Sequence, residues 1–374
     1  MLKINRKYLR QFDWITFAVL IAVSLVGVLT IYSATRPIAA SHQPNYYAKQ
    51  LLWMLCGVSA LAAIMIYDYL WLKKFAYALY GAGLVLLIAV LVMGKSGMGA
   101  QRWLNLGIVN FQPSELFRIL QIVVIARYFS GIKGPLSMWT LSISFIFFCA
   151  VPFILVLKQP HLGTGLILLS TYVFLALAKK IERRVLITLL VLASIIVPLS
   201  GKPVWKHLKD YQKNRIVAFI HPDADPRGIG YQIEQSKITV GSGMVSGRGF
   251  LQGTQGPLKF LPEKHTDFIF SVFAEEWGFI GCGVIFSMYF SLFYGGIDTA
   301  LKAKDEFGGY AAAGITFMLF LQFFVNTGMV LGILPVVGIP IPFMSYGGTS
   351  LVMNFIAVGI LLNIRMRRLG LFYA

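Results

Sequence analysis

Long apolar runs alternate with short polar segments along almost the whole chain. Most of these runs have roughly the 15 to 25 residues that a helix needs to cross about 30 Å of hydrocarbon, whereas membrane-barrel strands are about ten residues long. The pattern therefore predicts an all-α polytopic membrane protein with ten transmembrane helices. These cover residues 14–32, 51–67, 75–93, 114–130, 139–157, 162–178, 185–199, 268–297, 310–331 and 349–364.

Composition and charge agree with a membrane protein and predict its orientation. Hydrophobic residues make up 57% of the chain, and the net charge is +18. The cations gather at the two ends of the chain and between alternate apolar runs, which is the positive-inside pattern. We therefore expect both termini to be cytoplasmic and expect no nucleic-acid partner. The cations concerned are Lys3, Arg6, Lys7, Arg10, Lys73, Lys74, Arg127, Lys133, Lys179, Lys180, Arg183, Arg184, Lys302, Lys304, Arg365, Arg367 and Arg368.

One polar segment is much longer than the others. It covers residues of about 200–267, lies between the seventh and eighth predicted helices, and should face the extracytoplasmic side. We interpret residues 1–374 as a single membrane domain that carries this loop. Cys56, Cys149 and Cys282 are odd in number and lie in apolar runs, so they indicate neither a disulfide framework nor a metal site.

Asp267 is the strongest candidate for chemistry. It closes the long loop and precedes an apolar run, so its carboxylate should lie at the membrane boundary. An acid in that position is costly unless it has water, a partner or a function. A helix cap, with Thr266 or Asp267 accepting hydrogen bonds from first-turn amides, is the alternative interpretation.

Other outward-facing segments carry further candidates. Glu115 and Arg118 lie one helical turn apart after the loop at residues 94–112, either as an ion pair or as part of a site. The glycine-rich stretch from Gly241 to Gly249 is a very weak nucleotide motif, and we expect a flexible basic loop there. The stretch from Leu334 to Ser350 is dense in proline and glycine, which indicates a re-entrant segment. Together these segments could roof a polar cavity that contains Arg102, Glu115, Arg118 and Asp267.

Several motifs resemble one family of bacterial membrane proteins. They are Gly-Ala-Gln-Arg-Trp at 99–103, Gln-Pro-Ser-Glu at 112–115, Pro-Glu-Lys-His-Thr-Asp-Phe-Ile-Phe at 262–270, Asn326 with Gly332, Pro335 and Gly338, and Ser-Tyr-Gly-Gly-Thr-Ser at 345–350. These motifs identify the chain as similar to the SEDS family (shape, elongation, division and sporulation). Within that family, Gly-Thr-Gln at 253–255 and the long loop resemble RodA, the elongation branch, more than FtsW, the division branch.

The resemblance implies a peptidoglycan glycosyltransferase. Such an enzyme polymerises lipid II on the outer face of the bacterial cytoplasmic membrane, with undecaprenyl chains lying between its helices. It implies that Asp267 is the catalytic residue, the carboxylate that the activity requires, and that substrate is bound by Arg102, Glu115, Arg118, Lys264, His265, Thr266, Ser345, Gly347 and Gly348. It also implies a divalent cation, Mg or Mn, without indicating ligands, and partners that include a class B penicillin-binding protein and elongation-complex proteins.

Two positions depart from the family pattern. Arg118 stands where lysine is common, and His161 replaces the acid of Gln-Pro-Asp-Leu-Gly-Thr. The planar guanidinium of Arg118 is not equivalent to the ammonium point charge of lysine. The roles of Arg118 and of His161 are therefore both open. A lipid II flippase is one alternative function, because it would also need ten helices and a polar cavity, and a scaffold for a transpeptidase partner is another.

Overall fold

The chain is mostly helical. The computed structural model describes residues 11–35, 45–97, 100–105, 107, 110–159, 161–222, 225, 228–254 and 264–368. The helices are α1 Trp14–Thr35, α2 Tyr46–Ile66, α3 Leu70–Met93, α4 Pro113–Ser130, α5 Met138–Lys158, α6 Leu162–Lys179, α7 Arg183–His207, α8 Asp210–Ile220, α9 Ile229–Ser242, α10 Ile269–Leu301, α11 Glu306–Val330 and α12 Gly348–Arg367.

Eight of the described helices are long and apolar enough to cross a membrane: α1, α2, α3, α5, α6, α10, α11 and α12. Each corresponds to a span that the sequence predicts. The predicted fourth and seventh spans form α4 and α7, which do not belong to these eight. The ten-span topology and the position of the termini therefore stay predictions, and residues 1–10 and 369–374 lie outside the described residues.

Helix α4 is the centre of the bundle. It packs against α3, α6 and α11, and most of its 18 residues are buried, including Glu115 and Arg118. Its mixture of apolar and charged residues makes sense for a helix surrounded by protein, because other helices can satisfy polar groups that lipid cannot. A second long contact joins α12 to α2.

Helix α5 contains a π-helical turn at Ile146–Ala150, just before Pro152. Proline has no backbone N–H, so it cannot bond to the carbonyl one turn earlier, which here belongs to Phe148. The Gln121 side chain of α4 donates to that carbonyl at 3.0 Å, and the Tyr80 hydroxyl donates to the Phe147 carbonyl at 2.5 Å. Polar side chains from two neighbouring helices thus satisfy the irregular turn.

The segment between α3 and α4 is not the simple loop of an all-α protein. It forms a three-stranded antiparallel sheet of β1 Lys95–Gly97, β2 Ala100–Asn105 and β3 Asn110–Phe111. The sheet is small because two of its three strands have two or three residues. It is a correction to the predicted fold class, and it positions Arg102 on β2.

The long segment before α10 is also more ordered than predicted. Helix α7 continues through Pro198 and Pro203 to His207, so the stretch 200–207 is helical rather than loop. Two more helices, α8 and α9, follow it. A polar composition was enough to predict a soluble segment, but the helices within it have no strong apolar periodicity to reveal them.

The glycine-rich stretch Gly241–Gly249 is docked against a break in α10. Gly278 has φ 62° and ψ −164°, which interrupts the helix and releases the backbone groups on both sides of the break. Four backbone hydrogen bonds of 2.9 to 3.1 Å join the stretch to α10. They run from the amides of Arg248 and Gly249 to the carbonyls of Glu275 and Glu276, and from the amides of Phe279 and Ile280 to the carbonyls of Met244 and Val245.

This docking corrects one sequence interpretation. The glycine-rich stretch is not a flexible loop, because its backbone replaces the hydrogen bonds that α10 loses at Gly278. Glu275 and Glu276, next to the break, are buried in α10. The Thr254 amide and hydroxyl donate to the Glu275 carboxylate at 2.8 and 3.0 Å, and the Ser33 hydroxyl donates to Glu276.

We predict that Gly278→Ala destabilises the protein markedly. A Cβ at Gly278 would lie 2.2 Å from the Gly247 amide nitrogen, and φ 62° with ψ −164° is a region that only glycine occupies easily, at a cost of about 1–3 kcal/mol for other residues. Gly283→Ala is the matched control, because a Cβ there meets no atom within 4 Å. Thermal unfolding of the detergent-purified variants makes the comparison, and equal melting temperatures would contradict the docking argument.

Candidate functional site

Asp267 lies in a turn that is fastened to the irregular segment between α11 and α12. The Asn326 side-chain amide of α11 donates to the backbone carbonyls of Asp267 at 2.9 Å and Ile339 at 2.8 Å. The Ser345 hydroxyl donates to the Thr266 carbonyl at 2.7 Å and accepts from the Ile341 amide at 2.9 Å. One asparagine and one serine thus hold two non-helical segments in register.

The preceding residues of the turn are held by aromatic packing and by α2. The Tyr346 amide donates to the His265 carbonyl at 2.9 Å, and the His265 ring lies 4.6 Å from that of Tyr46. The Gln50 side chain of α2 donates to the Ser345 carbonyl at 3.0 Å and accepts from the Gly347 amide at 3.4 Å. His265 is therefore built into the support of the turn through its backbone and its ring.

The carboxylate of Asp267 lies beside Gly338. A Cβ at position 338 would be 3.3 Å from Asp267 Oδ2, and Gly338 has φ 69°, a conformation that favours glycine. Glycine therefore keeps side-chain atoms away from the carboxylate. Helix α10 begins at Ile269 with Phe268 at the N-cap, so neither Thr266 nor Asp267 occupies the position that the capping interpretation requires.

The segment that faces Asp267 also contacts α6 and α8. Arg215 of α8 donates to the Val337 carbonyl at 3.3 Å. A Cβ at Gly163, in the first turn of α6, would lie 3.0 Å from the same carbonyl oxygen and 2.8 Å from an Ile339 side-chain carbon. Residues 337–339 therefore link the Asp267 turn to the beginning of α6 and to α8.

A cluster of arginines surrounds the residue that precedes α6. Burial, together with the positive charges of Arg102, Arg118 and Arg215, lowers the pKa of His161 to about 3. His161 is consequently neutral at physiological pH. Its Nδ1 atom is buried and has no hydrogen-bond partner in the described part of the chain.

Arg102 and Arg118 are supplied by different elements. Arg102 of β2 donates from Nε to the Gln159 carbonyl at 3.3 Å, and the Gln159 side chain donates to the Leu87 carbonyl at 3.0 Å. Arg118 of α4 forms an ion pair with Glu115, and both side chains are at most 4% exposed. The Nε atom of Arg118 is buried and has no hydrogen-bond partner among the residues that the structure describes.

The remaining predicted residues line or support the same end of the bundle. Gly348 begins α12 in close contact with Trp53, and the neighbouring Thr349 hydroxyl donates to the Asn110 carbonyl of β3 at 3.1 Å. Lys264, His265 and Thr266 are half-buried in the turn before Asp267. Of the motif residues, Gly99, Pro160, Gln255, Pro262 and Glu263 lie outside the described residues.

Two important residues were not predicted as part of the site. Asn326 was noted only as a motif residue, although a fully buried polar side chain in an apolar helix is a recognisable signal of function or support. Arg215 is one of many cations in the long polar segment, and no local pattern distinguishes it. Its position depends on α8 folding back onto Val337.

The family profile described as "Cell cycle protein", which covers FtsW, RodA and SpoVE, matches residues 13–369. The chain belongs to this family. The peptidoglycan glycosyltransferase MrdB of Escherichia coli (strain K12) is 41% identical over 291 residues, which are 78% of this chain and 77% of that protein. The probable peptidoglycan glycosyltransferase FtsW of Geobacter metallireducens is 34% identical over 374 residues, 98% of each chain.

Solved structures agree with this assignment. A chain from a study titled "Structural coordination of polymerization and crosslinking by a peptidoglycan synthase complex" superposes with a TM-score of 0.80 at 28% identity, covering 96% of this chain and 98% of that one. The rod shape determining protein RodA of Thermus thermophilus gives a TM-score of 0.70 at 26% identity, with the same coverage. The RodA-like fold is thus shared over nearly the whole chain.

Proposed function

We propose that the chain is a peptidoglycan glycosyltransferase of a bacterial inner membrane that polymerises lipid II during cell elongation. Its relatives carry the name peptidoglycan glycosyltransferase, and it is 41% identical to MrdB over the matched region, against 34% to the FtsW relative described above. The observation that carries the mechanism is that a carboxylate and an arginine both lie against residues 337–339. Asp267 lies beside Gly338, and Arg215 holds the carbonyl of Val337.

The arrangement suits transfer of a sugar from a pyrophosphate. The reaction joins the 4-hydroxyl of one lipid II to the anomeric carbon of another glycan, and the undecaprenyl pyrophosphate leaves. Asp267 would take the proton of the attacking hydroxyl, which makes that oxygen a better nucleophile. Arg102, Arg118 and Arg215 would bind the leaving pyrophosphate, because guanidinium groups match phosphate oxygens in charge and geometry.

Inversion at the anomeric carbon needs the base and the leaving group on opposite sides of the sugar ring. Asp267 and Arg215 both lie against residues 337–339, and we propose that the carboxylate and the guanidinium act on opposite sides of the sugar bound there. We also propose that Lys264, Thr266, Ser345 and the Gly347–Gly348 backbone shape the sugar site next to Asp267. Their contacts with the Asp267 turn, through Ser345 and Thr266, mean that a change in one would move the carboxylate.

The divalent cation expected from the resemblance stays a proposal without ligands. Within the described part of the chain, no three His, Cys, Asp or Glu side chains come together in a group that could hold a metal ion. The arginine cluster around His161 offers hydrogen-bond donors, which cannot serve as metal ligands. No step of the mechanism above depends on a metal.

We further propose a class B penicillin-binding protein as the transpeptidase partner, with other elongation proteins associated with it. The support is the similarity to a chain of a peptidoglycan synthase complex in which polymerization and crosslinking are coordinated. In this arrangement the glycan strand made at Asp267 would be passed to the partner on the outer face of the membrane. Labelled lipid II, given to the purified protein alone and with the partner, should yield glycan ladders.

The first prediction from the proposed function concerns topology. We expect ten spans, cytoplasmic termini and an extracytoplasmic segment from about residue 200 to 267, because the cations alternate between sides. Single cysteines at Lys209 and Lys304 should then react with a membrane-impermeant reagent from opposite faces. The native cysteines are replaced first as the control, and labelling of both sites from one face would exclude ten spans.

The second prediction concerns the buried Glu115–Arg118 pair. Changing Glu115 alone would leave a buried charge unpaired, so the informative variant is Glu115→Gln with Arg118→Met, a replacement that is often harmless for a purely structural pair. We expect a folded protein that polymerises lipid II at least about tenfold more slowly, because the cluster loses a guanidinium. Near-normal turnover would show that the pair only neutralises its own charges.

The third prediction concerns Asp267. A positioned base contributes about 10² to 10⁴ in rate, so Asp267→Asn should retain expression and lipid II binding but lose turnover by that order. Asp267→Glu should recover part of the activity, since the longer side chain displaces the carboxylate by about 1 Å. Glycan ladders from lipid II measure both variants.

The matched control for Asp267 is Asp210→Asn, which removes an exposed acid from the same soluble segment. It should polymerise at the wild-type rate. If Asp267→Asn does so as well, Asp267 is not the base, and Glu115 or Glu263 is the next acid to test.

A further inference from the structure

An apolar groove lies at the end of the bundle that is opposite to Asp267. It has a volume of about 380 Å³ and is formed by α5, α6 and the first turns of α7, with Leu141, Phe145, Tyr172, Ala176, Leu186 and Leu189 in its wall. Helix α6 runs from the arginine cluster at its beginning to Lys179 at its end, which places the groove far along the helix from the candidate site. The groove is therefore separate from the proposed active site.

Basic residues mark the end of this groove. Lys180 and Arg183 flank Ile181, which lines it, and Arg184 follows. Lys133 belongs to the neighbouring loop, which is fastened to the same segment because the Leu136 amide donates to the Lys180 carbonyl at 2.9 Å. All four side chains are exposed, and within the described residues none of them has a carboxylate within salt-bridge distance.

A second apolar groove provides a contrast. It has a volume of about 430 Å³ and is lined by Trp71, Phe75 and Asp68 among others. Two of the basic side chains beside it are matched by acids: Lys73 pairs with Asp305 at 3.4 Å, and Arg367 pairs with Asp68 at 3.7 Å. Lys74 instead lies 5.5 Å from the centroids of the Trp71 and Phe75 rings. The groove between α5, α6 and α7 thus differs in having four cations at its mouth that form no salt bridge within the described part of the chain, although the exposed Glu182 lies between Lys180 and Arg183 in the chain.

We propose that the groove between α5, α6 and α7 binds an anionic phospholipid. One acyl chain would fill the apolar groove, and the phosphate would lie among Lys180, Arg183, Arg184 and Lys133. Basic pockets between transmembrane helices on the positively charged side of a membrane protein are suited to anionic lipid headgroups. A zwitterionic lipid would fit the groove equally well but would gain less from the cations.

The same lipid would support α7. Val185 is the one buried residue among the described side chains of this helix, so α7 packs against protein mainly at its beginning. An acyl chain between Leu186 or Leu189 and the wall of α5 and α6 would extend that contact. The bound lipid would therefore fill the space between α7 and the other two helices and fix the position at which α7 leaves the bundle.

Native mass spectrometry of the full-length protein in detergent tests the proposal. Dioleoyl phosphatidylglycerol and dioleoyl phosphatidylcholine are the probes, since they differ only in the headgroup. We expect the wild-type protein to retain phosphatidylglycerol preferentially. Lys180→Gln with Arg183→Gln should weaken that binding at least about tenfold, since a cation near the surface attracts an anionic lipid appreciably.

Lys302→Gln with Lys304→Gln is the matched control. It removes two positive charges, as the first double variant does. These lysines lie at the same end of the bundle as Lys180, because Lys179 of α6 pairs with Glu306, which follows them closely in the chain. It should leave phosphatidylglycerol binding unchanged. An equal loss in both double variants would show nonspecific attraction and would overturn the site, as would equal retention of the two lipids by the wild-type protein.

The acyl-chain part has its own test. Ala176→Phe fills the groove and keeps every cation, and it should reduce binding of both lipids; Leu189→Trp is the second variant if the first does not fold. Glycerol 3-phosphate should fail to compete, because it lacks the chain. Full phosphatidylglycerol binding in a folded filling variant, or competition by glycerol 3-phosphate, would show that headgroup charge alone holds the lipid and would contradict the groove.

Discussion

The structure depends on one constraint: each irregular piece of backbone inside an apolar bundle must find hydrogen-bond partners within the protein. An unsatisfied peptide group costs several kcal/mol in hydrocarbon. At Pro152 the partner of the released carbonyl is Gln121. At Gly278 the partners come from the backbone of the glycine-rich stretch, and between α11 and α12 they come from Asn326 and Ser345.

The third of these solutions creates the candidate site. Asn326 uses both protons of its amide, one for the Asp267 carbonyl and one for the Ile339 carbonyl. Because the side chain is buried within a packed helix, the two segments that it joins have little freedom to separate. The Asp267 carboxylate therefore faces Gly338 on a rigid support, which suits a group that must hold a reacting hydroxyl in place. The same polar interactions that make an irregular segment tolerable also determine where the acid points.

The sequence predicted the helices better than the segments between them. Apolar length alone revealed the eight helices that can cross a membrane, since burial in lipid or protein imposes the same composition along each span. The long polar segment was harder, because α8 and α9 are ordered by docking onto other elements rather than by their own periodicity. The glycine-rich stretch is the clearest case: its conformation depends on the break at Gly278, which lies about thirty residues later in the chain.

For the site, sequence motifs identified Asp267, Glu115 and Arg102 but could not show how they are combined. Arg215 joins them only because α8 folds back onto Val337, and this long-range contact has no local signature. The positive charge of Arg215 affects how the two departures from the family pattern, Arg118 and His161, are interpreted. With Arg102, Arg118 and Arg215 positive, Glu115 negative and His161 neutral, the cluster carries a charge of +2, whereas an ionised acid at position 161 would leave +1.

This difference in charge gives a physical reason for a histidine at position 161. An imidazole kept neutral by burial and by three guanidinium groups can still accept a hydrogen bond, as an acid would, but it does not consume positive charge. Arg118 also keeps the cluster positive, since a guanidinium stays charged when buried more reliably than the ammonium group of lysine does. Together the two departures preserve hydrogen-bonding capacity at the beginning of α6, and the neutral His161 leaves more positive charge for the pyrophosphate that we propose to bind there. They are therefore better understood as one adjustment of the proposed leaving-group site than as two separate losses.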